Sequence, residues 1–324
     1  MRKTINQITL AGRVYESNIA LKKVQDTSKE SFGTEFINGT LDIATDEDCL
    51  NVVQVHFTYV TATTKQGKKN ATFDVLKDII ENGKTVVADG KDEATCVKID
   101  TALDLNDFYT TRDGEETLVS AKRCEGGFVS KVAKNKLPEE RNRFEVDMFI
   151  NGTKIVEANE EKNIPADYLI VKGAVFNFRG AIKPVDFVVK SPGGIKYFES
   201  IDASPQNPTF TKVWGNIISS TIVTRKEEES EFGEPVVKEY TRTTKEWIVT
   251  GTSKASAVYP IGDEKSGITA EEIKKALADR EIYLADIKKR AEEWAASKKA
   301  SNDESLPFGD NKTAAPAAAG GFNF

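Results

Sequence analysis

Short runs of alternating apolar and polar residues dominate the first 260 positions of the chain. ITLAGRVY (Ile8 to Tyr15), EFINGTLDI (Glu35 to Ile43) and NVVQVHFTYVTAT (Asn51 to Thr63) are rich in β-branched and aromatic residues. In the last of these Val53, Val55, Phe57 and Tyr59 alternate with Gln54, His56 and Thr58. A period of two marks a half-buried strand, and it puts Phe57 and Tyr59 on the core side. FDVLKDIIENG (Phe73 to Gly83) changes to helical spacing, with Gly83 as its stop. Strands resume at TCVKIDTALDL (Thr95 to Leu105) and, after an Asp113-Gly114 turn, at ETLVSAK (Glu116 to Lys122).

The second half is expected to repeat this order. FINGT stands at Phe36 to Thr40 and again at Phe149 to Thr153, and YLIVKGAVFNF (Tyr168 to Phe178) is placed like VVQVHFTYV. This reads as a duplicated β-unit with a boundary near Cys124. The Pro and Gly content of SPGGIKYFESIDASPQNP (Ser191 to Pro208) argues for an irregular loop. Two long strands follow, Phe210 to Lys226 and Val236 to Ser253, joined by an acidic tip. From Thr269 to about Lys299 the pattern is helical, opened by the capping box Thr269-Ala270-Glu271-Glu272. Its apolar stripe (Ile273, Leu277, Leu284, Ile287, Ala291, Trp294) is interrupted by Arg280, and packing on a β-unit or a helix–helix dimer seam would both use it. The last residues carry no periodic apolar pattern and read as a disordered tail. The expected organisation is therefore 1–124, 125–260, a helix over 261–300 and a tail over 301–324.

Composition removes several classes of function. The three cysteines are scattered with no CxxC, and there is a single histidine, His56. A zinc site, a disulfide framework, and Ser-His-Asp or Cys-His catalysis are not expected. Neither a Walker loop nor GxGxxG is present. Asp42, Asp46, Glu47 and Asp48 lack the spacing of a calcium loop. No cofactor, metal or catalytic group is expected. The N-terminus lacks an apolar leader core and no run is long enough to span a membrane, which points to the cytoplasm. The net charge is -6, and no part of the chain is strongly basic. If nucleic acid is bound, a groove with few phosphate contacts is expected rather than a basic surface.

Five strands with one helix between the third and fourth are the order of an OB-fold, a small barrel that often binds oligonucleotides. The fold class expected is mainly β: two OB-fold-like five-stranded barrels in tandem, one amphipathic helix and a disordered tail. NQITLAGRVYES, NVVQVHF, the short helix ending in ENG, and FYTTRDGEETLVSA are similar in kind and order to the phage and bacterial single-stranded DNA-binding protein family, over roughly residues 5 to 124. Asp303-Glu304-Ser305-Leu306-Pro307-Phe308 resembles that family's acidic tip, although here residues follow it. The resemblance implies a non-enzymatic protein of phage type, in the host cytoplasm. It would coat single strands during replication or recombination and recruit proteins of those processes through Asp303, Glu304, Leu306, Pro307 and Phe308. A homo-oligomer is left open. The rival reading is a phage structural or interaction protein built on β-barrels.

Strand binding needs aromatic faces and cations. Trp214 shares a strand face with Lys212, and Trp247 with Lys245 beside Arg242. Tyr109 and Arg112 lie at the Asp-Gly hairpin, Lys65, Lys68 and Lys69 in a strand-end loop, and Arg13 in the first strand. These eleven residues are the expected nucleic-acid contacts.

Overall fold

A computed structural model describes residues 4–64, 66–112, 115–159, 164–177, 179–228 and 236–303. In chain order the elements are β1 (Asn6–Lys23), β2 (Glu35–Ala44), β3 (Val52–Thr61), α1 (Ala71–Asn82), α2 (Val86–Asp89), β4 (Cys96–Arg112) and β5 (Glu115–Lys131). There follow β6 (Asn142–Val156), β7 (Tyr168–Phe176), β8 (Ile182–Val189), α3 (Pro192–Glu199), β9 (Thr209–Glu228), β10 (Val236–Thr252), β11 (Tyr259–Pro260) and α4 (Ala270–Asp303).

The strands form one 11-stranded sheet that closes on itself twice. Ring 1 runs β1-β2-β3-β5-β4 and returns to β1; ring 2 runs β6-β7-β8-β10-β9 and returns to β6. The same strand order occurs in both, with α1 and α3 at the same point, before the fourth strand. These are two OB-fold barrels in tandem, as the strand order along the sequence implies. β5 continues past Cys124 to Lys131, so the expected border at that cysteine falls inside a strand.

The rings meet where β1 pairs antiparallel with β6, Ile8 opposite Phe144, Asn6 opposite Val146 and Leu10 opposite Asn142. That register makes Asn6 and Asn142 counterparts. The Asn6 amide donates to the Leu103 carbonyl (2.9 Å) and accepts from the Leu103 N–H (2.8 Å). Asn142 makes the same pair of bonds with Ile217, at 2.6 and 3.1 Å. Both brackets satisfy backbone groups that would otherwise be buried without a partner.

Phe36 lies in β2 and Phe149 in β6, which are not equivalent strands, so FINGT does not align the two halves. Its two surroundings also differ: the register shift at Ile37/Gly39 puts the extra residue on β3, opposite the string, whereas the shift at Ile150/Gly152 puts it on β6, within the string. Ser191 to Pro208 is not wholly irregular either. Ser191 caps α3 by accepting from Gly194 N, Pro192 occupies the first turn where no N–H is needed, and Phe198 is buried.

One continuous core runs through both rings. Phe144 stacks on Phe187 (5.1 Å between centroids) and tilts against Trp247 (5.4 Å). A second cluster of Phe149, Phe176, Ile182 and Phe210 lies beneath Ile268 and Ile273 at the base of α4. The capping box closes as read from the sequence: Glu272 N donates to Thr269 Oγ1 and Thr269 N to Glu272 Oε2. α4 packs on β4 and β8, although Leu277 and Trp294 of its stripe stay exposed, and Arg280 breaks the stripe to meet Asp107 in a two-pronged ion pair (2.8 and 3.1 Å). Among the described residues no helix is long and apolar enough to cross a membrane.

Candidate nucleic-acid interface

The outward side of β2 and β3 in ring 1 is a strip of hydrogen-bonding side chains. Thr40 is opposite His56, and Asp42 opposite Gln54, while inward-facing Leu41, Val55 and Phe57 fill the barrel. Lys22 donates to Asn38 Oδ1 (3.2 Å), and Arg123 of β5 holds Glu125 at 2.9 Å. Lys245 reaches this strip from ring 2, close enough to act electrostatically on both Asp42 and His56. The long β9–β10 hairpin therefore leans over ring 1, anchored by Ser219 N and the Ile217 carbonyl on the Asn51 amide (2.7 and 3.1 Å).

At the upper rim the strip ends in aromatic surface. Phe36 and Tyr59 pack at 4.7 Å between centroids, and Tyr59 is 50% exposed. Lys22 pairs in register with Phe36 and lines an open groove of about 500 Å3 with Leu21, Lys23 and Gln25. The loop after β3 places Lys68 and Lys69 beside this rim, with Lys69 on Asp74 at 2.8 Å. Period-two reading assigns Tyr59 to the core. The register shift at Ile37/Gly39 and the end of the barrel turn it outward instead, and no single-strand pattern carries that signal.

Burial lowers the pKa of His56 to about 4, helped by Arg123 and Lys245. A depressed histidine pKa favours the folded state only while the ring is neutral. As pH falls from 6.5 toward 4 the unfolded chain takes the proton first, so stability drops across that window. Urea titrations at about pH 7 and about pH 5 should show this drop, and His56→Gln should reduce it. An unchanged slope in the variant would assign the drop elsewhere.

Other expected contacts lie apart from this groove. Trp247 is 3% exposed and belongs to the ring 2 core, because β10 turns the side it shares with Lys245 into the barrel. Arg13 is also 3% exposed and tied to Glu47 at 2.9 Å. Trp214 and Lys212 lie on the outer side of β9. The indole lies across Gly251, where a Cβ would come within 2.3 Å of Nε1, and under the Arg143 guanidinium at 5.6 Å. Lys212 pairs with Glu145 at 3.0 Å. Tyr109 is covered by Lys288 of α4, 5.8 Å from its ring. Arg112 and Arg242 are in β4 and β10, and Asp303 ends α4; their side chains fall outside the described residues, as do Lys65, Glu304, Leu306, Pro307 and Phe308.

Ring 2 has a counterpart of the Lys245 contact, but it is closed. Lys122 of β5 reaches β8 and bonds both the carbonyl and the carboxylate of Asp186. Lys183 binds Asp104 at 2.7 Å with Tyr283 of α4 over its ammonium, and Arg280 fills the adjoining space. The acids near residue 46 have structural roles: Asp46 accepts from Leu50 N and Asn51 N, and Glu47 holds two arginines. The Cys124 thiol is pushed up to about 12 by burial, which makes it unreactive.

A family model matches residues 4–290. The chain belongs to the YorF family. No curated protein matches it. Two crystal structures of the single-stranded DNA binding protein from Thermus aquaticus, the wild type and a deletion mutant, superpose on the chain with a TM-score of 0.44 and 8% identity. The overlap covers 78% of this chain and 94% and 96% of those chains.

Proposed function

We propose that the protein binds single-stranded DNA without catalysis, laying the strand along the β2–β3 face of ring 1. The Phe36–Tyr59 pair, with Tyr59 exposed and Phe36 half-buried, carries this reading. An exposed Tyr59 ring backed by Phe36 at the end of a polar strip, with Lys22 and Lys68 nearby, matches what base stacking and backbone contact require. An OB-fold uses this face for oligonucleotides. The β9–β10 hairpin brings Lys245 to the same face, whereas Lys122 is tied to Asp186 and α4 fills in beside it. One strand path per chain is expected. Coating of strands in replication or recombination, a phage origin and recruitment through Asp303 to Phe308 are finer parts of the proposal. They rest on the resemblance of residues 5 to 124 and of the tail.

Fluorescence polarisation with labelled oligo-dT at low salt tests the reading. Tyr59→Ala or Phe36→Ala should weaken binding by about 1–3 kcal/mol, the worth of a stacked base, with little change in Tm. Trp214→Ala should leave affinity nearly unchanged. Equal affinity for duplex DNA, or insensitivity to both rim aromatics, would sink the proposal.

A further inference from the structure

Beside the ring junction, away from the β2–β3 face, two arginines share one carboxylate. Arg13 of β1 donates from Nη2 to Glu47 Oε2 at 2.9 Å, and Arg141, just before β6, donates from Nη2 to Glu47 Oε1. Arg13 and Arg141 are 3% and 15% exposed, and Glu47 is 64% exposed. Nε and Nη1 of Arg13 and Nη1 of Arg141 are buried and meet no acceptor among the described residues. Guanidinium donors buried in this way are costly, and the two oxygens of Glu47 are already committed to the Nη2 groups.

The fold does not require arginine here. Arg13 stands just before the β1–β2 register shift at Val14/Glu16, and Phe149 just before the matching shift at Ile150/Gly152. Ring 2 thus fills the equivalent place with a phenylalanine packed against Phe176 and Phe210. Ring 1 instead gathers cations. Lys91 acts with Arg13 on Cys49 and Lys134 with Arg13 on Cys96, while Lys134 is itself paired with Asp92 at 2.7 Å. The loop carrying Glu47 is tied down at Asp46, which accepts from Asn51 N at 2.8 Å, and Cys49 sits at φ 59. Only the exposed Glu47 side chain has to move to open the arginine pair.

We infer that Arg13 and Arg141 form a binding site for a phosphate dianion, with Glu47 as an exchangeable counter-ion. A tetrahedral phosphate offers more acceptor oxygens than a carboxylate and balances two guanidinium charges, the geometry arginine forks favour. The ligand class is inorganic phosphate or a phosphate group on a larger molecule.

Thermal melts of the full chain in inorganic phosphate, against chloride at matched ionic strength, test the site. Phosphate should raise Tm saturably, and Glu47→Ala should lower the apparent Kd roughly tenfold by removing the competing carboxylate. Arg141→Lys, which keeps the charge but loses the fork, should abolish saturation while circular dichroism reports an intact fold. Repeating the melts with bound oligo-dT separates the sources. A persisting phosphate effect marks a free or small-molecule phosphate, and its loss marks a backbone phosphate of the strand; each outcome supports the site. Equal shifts in chloride, or no gain from Glu47→Ala, overturn it. Failure of oligo-dT binding would leave the phosphate result standing, so the two readings fail separately.

Discussion

Replacing Trp247 by alanine should cost about 3–5 kcal/mol of stability, the usual price of removing a fully packed aromatic. The indole is 3% exposed, 5.4 Å from Phe144 and 6.2 Å from Phe187. Phe144 in turn faces Ile8 across the junction of the rings. The cavity would therefore open where the two barrels share their core, and relaxation of one ring alone would not close it. Urea unfolding should show a lower midpoint, with Trp247→Phe losing far less. Oligo-dT affinity per folded molecule should stay unchanged. A variant that keeps its midpoint and loses affinity would return Trp247 to the interface.

The contrast between Trp247 and Lys245 shows what strand parity can and cannot read. Both residues point to the same side of β10, yet Trp247 lies within the barrel and Lys245 is exposed, near enough to Asp42 and His56 to act on both. Alternation tells sidedness; it does not tell how far a barrel extends along a strand. Tyr59 fails for a different reason: the register shift at Ile37/Gly39 puts an extra residue into β3 after Phe57, so Val60 turns back to the core and Tyr59 faces out. Strand order, the capping box and the α1 helix were legible because each rests on local spacing. The pairing of the halves was not. FINGT recurs on unlike strands, with a bulge inside it only in its second copy, while the true correspondence of Asn6 and Asn142 is a single residue at each strand start. Arg280 was legible only as an interruption of a stripe, since its partner Asp107 is far away in the sequence.

That pair gives the other large effect. The Asp107 carboxylate is fully buried, and Arg280 is 9% exposed. Burial raises the Asp107 pKa, but the Arg280 bonds and a 2.5 Å bond from Ser120 outweigh it, and the net shift is downward. Arg280→Ala should cost about 3–5 kcal/mol locally, because it strands a buried carboxylate without its cation. The chain can limit that loss by lifting the outer part of α4, so the expected result is uneven. Hydrogen exchange should accelerate from Arg280 onward, while the base stays protected where Ile268 and Ile273 rest on Phe149 and Phe210. Tyr109, relieved of Lys288, should gain exposure. The carboxylate's contribution is present above its ordinary titration range and fades as pH falls through the lowered folded value, so acid should reproduce the release in the native chain. Replacing both partners, Asp107→Leu with Arg280→Met, should restore much of the protection, since an apolar pair of similar volume removes the desolvation cost along with the attraction. If the double variant exchanges as fast as Arg280→Ala, the helix is held by its other contacts, Lys288 on Glu116 and Tyr283 on Lys183, and the ion pair is incidental to its docking.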